Sequence, residues 1–321
     1  MWWTAIFYKF DFLKIHMYDI IGDVHGEASL LKKLLKKMGY EKINGSFSHP
    51  DRKAVFVGDF INRGPEIRKT IRIIRSMVEA GNAYAVLGNH EINAIIYHTK
   101  DKQGSLLIRK PNKYFLSLFK TINEFKLEPL EWKDTLDWLR TLPLFLDFGE
   151  IRIVHACWSE EAIKVARSIH TEGRIKKKVF RTIHKNTDSE ISPSVWLLTK
   201  GVYLKMPSDL HVRNNKGVMP RSFRIKWWED PKGKSFKDLS FESKYTLPDY
   251  TVPLEILPEV HTYPEDAPLL FFGHYCRGKG PVIIKPNICC VDSCVTGTSN
   301  LTAYRWSGEK VLNPENVLSL K

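Results

Sequence analysis

The stretch Tyr18-Asp19-Ile20-Ile21-Gly22-Asp23-Val24-His25-Gly26 decides how the rest of the chain is read. Its apolar, β-branched first half suits a buried strand, and Gly22 and Gly26 permit a tight turn after it. A carboxylate and an imidazole, one residue apart, then stand at the strand's end where both can converge on one cation. Two later segments repeat this pattern. Lys53-Ala54-Val55-Phe56-Val57 runs into Gly58-Asp59-Phe60-Ile61-Asn62-Arg63-Gly64, and Ala83-Tyr84-Ala85-Val86-Leu87 runs into Gly88-Asn89-His90-Glu91. Between them lie helical periodicities, first Leu30, Leu31, Leu34, Leu35 and Met38, then Ile67, Ile71, Ile74 and Met77 or Val78. The predicted unit is βαβαβ. Its parallel strands end on one edge, which is where an open α/β sheet places ligands. Asp23, His25, Asp59, Asn89 and His90 are therefore expected to meet.

Composition sets the bounds. A chain of 321 residues with 43% hydrophobic content can bury a sizeable core. Its 49 Lys and Arg against 36 Asp and Glu leave a formal charge of +13, which favours anionic partners: phosphorylated substrates, nucleic acid or an anionic surface. The five cysteines, Cys157, Cys276, Cys289, Cys290 and Cys294, show no paired spacing, and no secretory signal with a cleavage site is visible. Reduced thiols in the cytoplasm are the expectation. No apolar run approaches the ~20 residues needed to span a bilayer. Residues 1–16 are aromatic-rich and precede a second methionine, Met17, directly before the first strand. They read as an N-terminal extension with Met17 as the natural start, or alternatively as an extra edge strand or interfacial anchor. Residues 17–321 read as a single domain.

Within that domain, residues 100–145 form a helical insert. Leu116, Phe119, Ile122 and Phe125 share one face, and Trp132, Leu136 and Leu139 another; the insert either covers the strand ends or only packs. A hairpin over 145–148 and 151–154 delivers His155, and a helix over 160–169 follows. The basic run Arg174, Lys176, Lys177, Lys178, Arg181 and Lys185 is a solvated face or an attractor of polyanions. Residues 201–265 form an irregular, proline-rich insert in which Arg224-Ile225-Lys226-Trp227-Trp228 reads as a strand. Strands over 269–272, 282–285, 288–291 and 301–306 then suggest a second sheet, the first of them ending in Gly273-His274.

Collected, Asp23, His25, Asp59, Asn89, His155 and His274 each stand at or just beyond a strand end. Six such donors suit two cations, ~3.5–4 Å apart and bridged by a carboxylate, a pair that clamps phosphoryl transfer and acidifies a bound water. Mixed nitrogen and oxygen ligation fits Mn, Fe, Zn or Co better than Mg alone. Cys157 and Cys276 each follow a candidate ligand by two residues. Each reads as a buried inert thiol or a supporting residue, with Cys276 also a candidate extra ligand.

The series GDVHG, GDFINRG, GNHE, VHA and GHY resembles the metallophosphoesterases of the calcineurin-like superfamily, in the phosphoprotein phosphatase branch. The ending, from Phe271-Phe272-Gly273-His274-Tyr275 through Val291-Asp292-Ser293 to Leu301-Thr302-Ala303-Tyr304-Arg305-Trp306, is similar to bacterial symmetrical diadenosine tetraphosphatases and their relatives. The resemblance implies an α/β fold, a sandwich of two mixed sheets flanked by helices. It also implies that Asp23, His25 and Asp59 hold one metal, that Asp59, Asn89, His155 and His274 hold the other, and that Asp59 bridges them. Arg63, with Asn89, would bind phosphate through its planar fork, and His90 would protonate the leaving group. The implied activity is phosphoester hydrolysis by a metal-bound hydroxide, on nucleotide polyphosphates or small phosphomonoesters. A serine/threonine protein phosphatase acting on phosphoproteins, a non-catalytic metal- and phosphate-binding module and, from charge alone, a nucleic-acid phosphodiesterase are the alternatives. One departure stands out: where the family turn usually reads Asp-Arg-Gly, this chain has Asn62-Arg63-Gly64. An amide can accept a hydrogen bond from His90 but brings no charge, which favours leaving groups able to depart unprotonated, such as nucleotide phosphates or phenolates.

Overall fold

The computed structural model describes residues 17–108, 116–185, 190–207, 210, 221–241, 246–260, 262–276 and 282–320. The proposed N-terminal extension lies outside the described residues. The chain opens with β1 (Met17–Ile21), α1 (Ala28–Lys37), a hairpin of β2 (Glu41–Ile43) and β3 (Ser46–Ser48), β4 (Arg52–Phe56), α2 (Ile67–Glu79), β5 (Ala83–Ala85) and α3 (Asn89–Tyr97). The insert contributes α4 (Leu118–Glu124) and α5 (Pro129–Leu139), followed by β6 (Phe145–Asp147), β7 (Ile151–Val154) and α6 (Glu160–Ile169). A small pair, β8 (His170–Thr171) and β9 (Arg174–Ile175), precedes α7 (Lys177–Lys185) and α8 (Ile191–Lys200). Then come β10 (Tyr203–Lys205), β11 (Ser222–Arg224), α9 (Phe236–Leu239), β12 (Leu269–Phe272), β13 (Ile283–Lys285), β14 (Ile288–Cys290), α10 (Val295–Thr298), β15 (Leu301–Trp306) and β16 (Val317–Leu320).

Two five-stranded mixed sheets carry the architecture, ordered β16-β15-β1-β4-β5 and β13-β14-β12-β7-β6. In the first, β1, β4 and β5 run parallel, as the βαβαβ reading requires. In the second, β7, β12 and β14 are the parallel strands. The period of two in side-chain direction builds both faces of each sheet. Ile20, Val55 and Val57 point inward against Ile151, Ile153, Leu269 and Phe271 of the facing sheet, while Ile21, Ala54, Phe56, Val154, Leu270 and Phe272 point outward under the helices. Tyr18 closes the inner layer, its ring stacked on Phe148 with centroids 4.6 Å apart. The helices supply the outer cover: Leu31, Leu34 and Leu35 of α1 and Ile67, Ile71, Ile74 and Met77 of α2 are fully buried.

Four readings need correction. The strand over 301–306 belongs to the first sheet, antiparallel to β1, rather than to the second. The cause is electrostatic as well as apolar: buried Asp19 on β1 accepts from Arg52 Nε of β4 at 2.8 Å and from Arg305 Nε of β15 at 3.0 Å, joining three neighbouring strands. Trp227 and Trp228 are not strand residues, since β11 ends at Arg224; both occupy a turn, wholly buried against Phe272. In α4 the buried positions are Leu118 and Thr121, followed by Phe125, so Leu116 and Phe119 are exposed instead of sharing that face. The hairpin β2–β3 was missed, although its loop is Asn44-Gly45 with φ of 50° and 87°, the left-handed pair that a two-residue hairpin demands. The basic run is a solvated face in part: Lys176 pairs with Glu172, Lys177 with Asp137, and Arg181 donates to the Lys100 carbonyl.

Candidate metal centre

All five parallel strands named by the sequence as carriers of ligands, β1, β4, β5, β7 and β12, end at one edge of the sandwich. The turns that leave them are tightly constrained. His25, Asp59, Asn62, Arg63 and His274 all have positive φ, between 43° and 68°, a region that costs a non-glycine residue about 1–3 kcal/mol unless its surroundings enforce it. The surroundings here do so. His25 N–H donates to the Asp59 carbonyl at 2.9 Å, Gly26 N–H to that of Phe60 at 2.8 Å, and Gly64 N–H back to that of His25 at 2.8 Å. Two glycines are needed for close approach: a Cβ on Gly88 would lie 2.2 Å from Asp59 Oδ1, and one on Gly273 2.1 Å from Asp23 Oδ1.

The side chains so placed converge on Asp59. His25 Nε2 lies 3.6 Å and His90 Nε2 3.8 Å from Asp59 Oδ2, while His155 Nε2 lies 3.4 Å from Oδ1. Asp23 Oδ2 is 4.0 Å from His25 Nε2, and Asn89 Oδ1 is 3.2 Å from His155 Nε2. His274 joins Asp59 and His155 in a group whose ligand atoms all lie within 4.8 Å of one another; His25, Asp59 and His90 make a second such group. Asp59 belongs to both. Asp23, His25, Asp59, Asn89, His155 and His274 are thus brought to one place, and His90, read as the acid, also stands within ligand distance of His25 and Asp59.

These donors fit divalent cations. His25 Nδ1 donates to the Ile61 carbonyl and His155 Nδ1 to that of Val57, which fixes the tautomer and leaves each Nε2 free toward Asp59. His274 Nε2 is buried without a hydrogen-bond partner among the described residues, an orphaned acceptor that a cation would satisfy. The electrostatics agree. Burial alone would raise the Asp59 carboxyl, but His155, His90 and His25 hold it well below the usual carboxylate range. Asp23 moves the other way, raised by burial and by nearby Asp292. Burial drives His25 down to about 4 and His90 to about 3, and with Arg224 it holds His274 well below its ordinary value. His155 is the exception: burial works to lower it, but Asp59 and Asp23 push it up to about 10. Buried carboxylates among mostly neutral imidazoles call for positive charge, which metal ions would provide.

Beside the cluster, Asn62 and Arg63 face His90. The Asn62 amide contacts His90 Nδ1 at 2.5 Å, and Arg63 Nη2 lies 3.3 Å from His90 Nε2. The amide does not accept from His90 as expected, because its oxygen takes the hydroxyl hydrogen of Thr121 and its NH2 is turned to the ring. Sequence reasoning missed two acidic residues. Glu91 is fully buried and accepts from the N–H groups of Asp59, Phe60, Ile61 and Gly88, tying the β4 turn to the start of α3. A glutamate three residues into a helix that starts at a glycine was the available signal. Asp292, just past β14, is also buried; one of its oxygens accepts from Cys294 N–H, and its charge acts on Asp23 and His25. The thiol reading of Cys276 is overturned. Cys276 and Cys294 form a disulfide, with Cα atoms 4.8 Å apart, because the turns after β12 and β14 lie side by side; Cys276 is therefore not a metal ligand, and the expectation of uniformly reduced thiols fails. Cys157 is a free, buried thiol, as read.

Comparison with known proteins agrees with this geometry. The calcineurin-like phosphoesterase family model matches residues 18–278. A bis(5'-nucleosyl)-tetraphosphatase PrpE of Halalkalibacterium halodurans is 50% identical over 74 residues, 23% of this chain and 30% of that protein. The PrpE of a Geobacillus species is 52% identical over 73 residues, 22% and 30% of the two chains. The chain thus spans about 30% of the length of these relatives; both are named asymmetrical, whereas the motif resemblance ran to symmetrical enzymes. Among solved structures, a cold-active protein-tyrosine phosphatase of a Shewanella species is 14% identical over 96% of this chain and 81% of its own, with a TM-score of 0.47. With five ordered motifs meeting around Asp59 and a family model spanning most of the sequence, the chain belongs to the calcineurin-like phosphoesterase family.

Proposed function

We propose that this protein is a hydrolase of phosphoric anhydrides and esters that works with two divalent cations and takes nucleotide polyphosphates as its preferred substrates. The observation that carries the reading is the sharing of Asp59 between two ligand groups, one with His25 and one with His155 and His274. Asp23, His25 and Asp59 would hold one cation, and Asp59, Asn89, His155 and His274 the other; manganese suits this mixed donor set. Bound there, the cations would supply Lewis-acid activation of water and neutralise phosphate charge.

The remaining groups act directly on the substrate. Arg63, exposed at the rim, presents its fork to a phosphate, and its Nη2 stands 3.3 Å from His90 Nε2, so both side chains address the same oxygen-rich group. His90 delivers a proton toward the leaving oxygen. Asn62 adds no negative charge to help it, so leaving groups that depart without a proton are favoured; the names of the curated relatives point the same way. No described helix is long and apolar enough to cross a membrane.

The experiment is hydrolysis by Mn²⁺-loaded protein of diadenosine tetraphosphate, a phosphoserine peptide and p-nitrophenyl phosphate side by side, with Asp59→Asn as the blank. Fast dinucleotide cleavage that vanishes in the blank is expected. Peptide turnover as fast as the others would replace the reading with a protein phosphatase, and turnover of none would leave a binding module.

A further inference from the structure

Away from the metal centre, α1, α2 and the hairpin β2–β3 enclose a hollow beside the first sheet. The way α1 ends creates it. Gly39 takes a φ of 90°, and Tyr40 N–H reaches back to the Leu35 carbonyl at 2.9 Å, so the chain reverses and sets the hairpin against α2. Periodicity then turns one face of each element into the space. On α1, Lys32 and Lys36 stand one turn apart; on the hairpin, Lys42 and Phe47 are directly opposed and so share a face; on α2, Lys69, Arg72 and Ile73 follow the helical repeat. All of these line a single cavity of about 770 Å³, a size typical of small-molecule sites, and none of its lining residues belongs to the metal centre.

The lining is one-sided in charge. Five cations surround the cavity, and Glu41 is the one acid among the lining residues. Lys69 is held by Glu66 at 2.9 Å and Arg72 by Glu131 at 2.9 Å, but Lys32, Lys36 and Lys42 are exposed and make no ion pair among the described residues. One lysine-rich helix face is ordinarily just solvated. Here the like charges a turn apart on α1 meet a third across the cavity, a repulsion that an anion seated between them would relieve. Beneath the lysines the floor is apolar and ring-bearing, since Tyr40, Phe47 and Ile73 are buried. A ligand matched to both layers carries several negative charges on a flat, apolar part, and ammonium groups suit phosphate as point charges. We propose that this cavity is an accessory binding site for a nucleoside polyphosphate, with the phosphates among Lys32, Lys36 and Lys42 and the base over Phe47 and Ile73. The inference does not depend on the proposed activity, because it uses no residue of the metal centre.

Hydrogen exchange reads this site apart from the metal centre. In the Mn²⁺-loaded protein, protection of residues 36–48 is titrated with the β,γ-methylene analogue of ATP, with inorganic tripolyphosphate and with adenosine. The analogue should protect the segment saturably, tripolyphosphate about tenfold more weakly for want of a stacked base, and adenosine not at all. Lys32→Gln, Lys36→Gln and Lys42→Gln together should weaken the analogue about tenfold, three modest contributions combined, while hydrolysis of p-nitrophenyl phosphate stays at the wild-type level. Removing the same charge elsewhere, by Lys126→Gln, Lys133→Gln and Lys164→Gln, should leave the titration as in wild type. No protection by the analogue would overturn the proposal. So would tripolyphosphate binding as tightly as the analogue, which leaves no role for the base, or an equal loss in both triple variants, which leaves only diffuse attraction. Protection by a polyglutamate peptide as strong as by the analogue would give the surface to an acidic protein partner instead. Should the wild type hydrolyse nothing, the assignment of function falls and the titrations still decide the site.

Discussion

The turns leaving β1, β4 and β5 and the turns leaving β7 and β12 reach the same point by different means. On the first sheet, the loops carrying Asp23, His25, Asp59 and Asn89 bond to one another through backbone groups and through Glu91, all within residues 22–91. On the second, His155 and His274 are 119 positions apart in sequence, and their turns are fixed by Gly273 N–H donating to the His155 carbonyl, by Arg224 on the His274 carbonyl, and by the Cys276–Cys294 disulfide. The first side brings both carboxylates of the ligand set; the second brings only imidazoles. A local, self-bonded half supplies the charge, and a long-range, stapled half completes the coordination around it. Asp59 is where the two halves join.

If that division is real, Asp59→Asn should be the most damaging change, because it removes charge from both groups at once. Loss of partners around a metal's ligands costs 10–100-fold, so losing the shared ligand should cost more than about 100-fold in kcat, read in the Mn²⁺ assay. Gly273→Ala tests how tightly the second half docks on the first. Its Cβ would collide with Asp23 Oδ1, and overpacking of this kind costs about 1–3 kcal/mol, measurable by urea unfolding, together with weaker metal uptake. Removing the staple with Cys276→Ser and Cys294→Ser should cost about 3 kcal/mol or less for a loop of 18 residues, and reduction of the wild type should give the same change; the first half should be untouched.

The smallest effect concerns the outside of the first half, where Arg68 and Arg72 of α2 hold Glu131 of α5 down to about 2. A carboxyl depressed in the folded state contributes stability that is present above its unfolded value, near ~4.3, and is lost as pH falls toward about 2. Glu131→Gln should therefore flatten the acid limb of the stability curve across that window and leave neutral pH nearly unchanged, since exposed pairs contribute little.

Legibility in the sequence followed the same division. The first half could be read because strand, glycine and ligand recur three times with amphipathic helices between, so the parallel edge and its five side chains followed from periodicity. The second half marked its ligands more weakly: His155 and His274 each follow a strand, but a single histidine there has many other uses, and resemblance to a family was needed to strengthen both. Pairing across long separations was the part least written locally. Strand 301–306 chose the first sheet through Arg305 opposite Asp19, and Cys276 met Cys294 because β12 and β14 are parallel neighbours. Trp227 and Trp228 looked like strand residues because aromatic content suits a sheet, yet they fill a core gap from a turn. Thr121 carried no signal at all: one buried hydroxyl in a helix reveals its partner only when Asn62 is placed against it.

The most direct test of the account is metal stoichiometry, measured by calorimetric titration of the metal-free protein with Mn²⁺ in wild type, His25→Ala and His274→Ala. Two sites in wild type, reduced to one in each variant with the other retained, are predicted. A single site in wild type, or both sites lost together in either variant, would contradict two half-centres joined at Asp59.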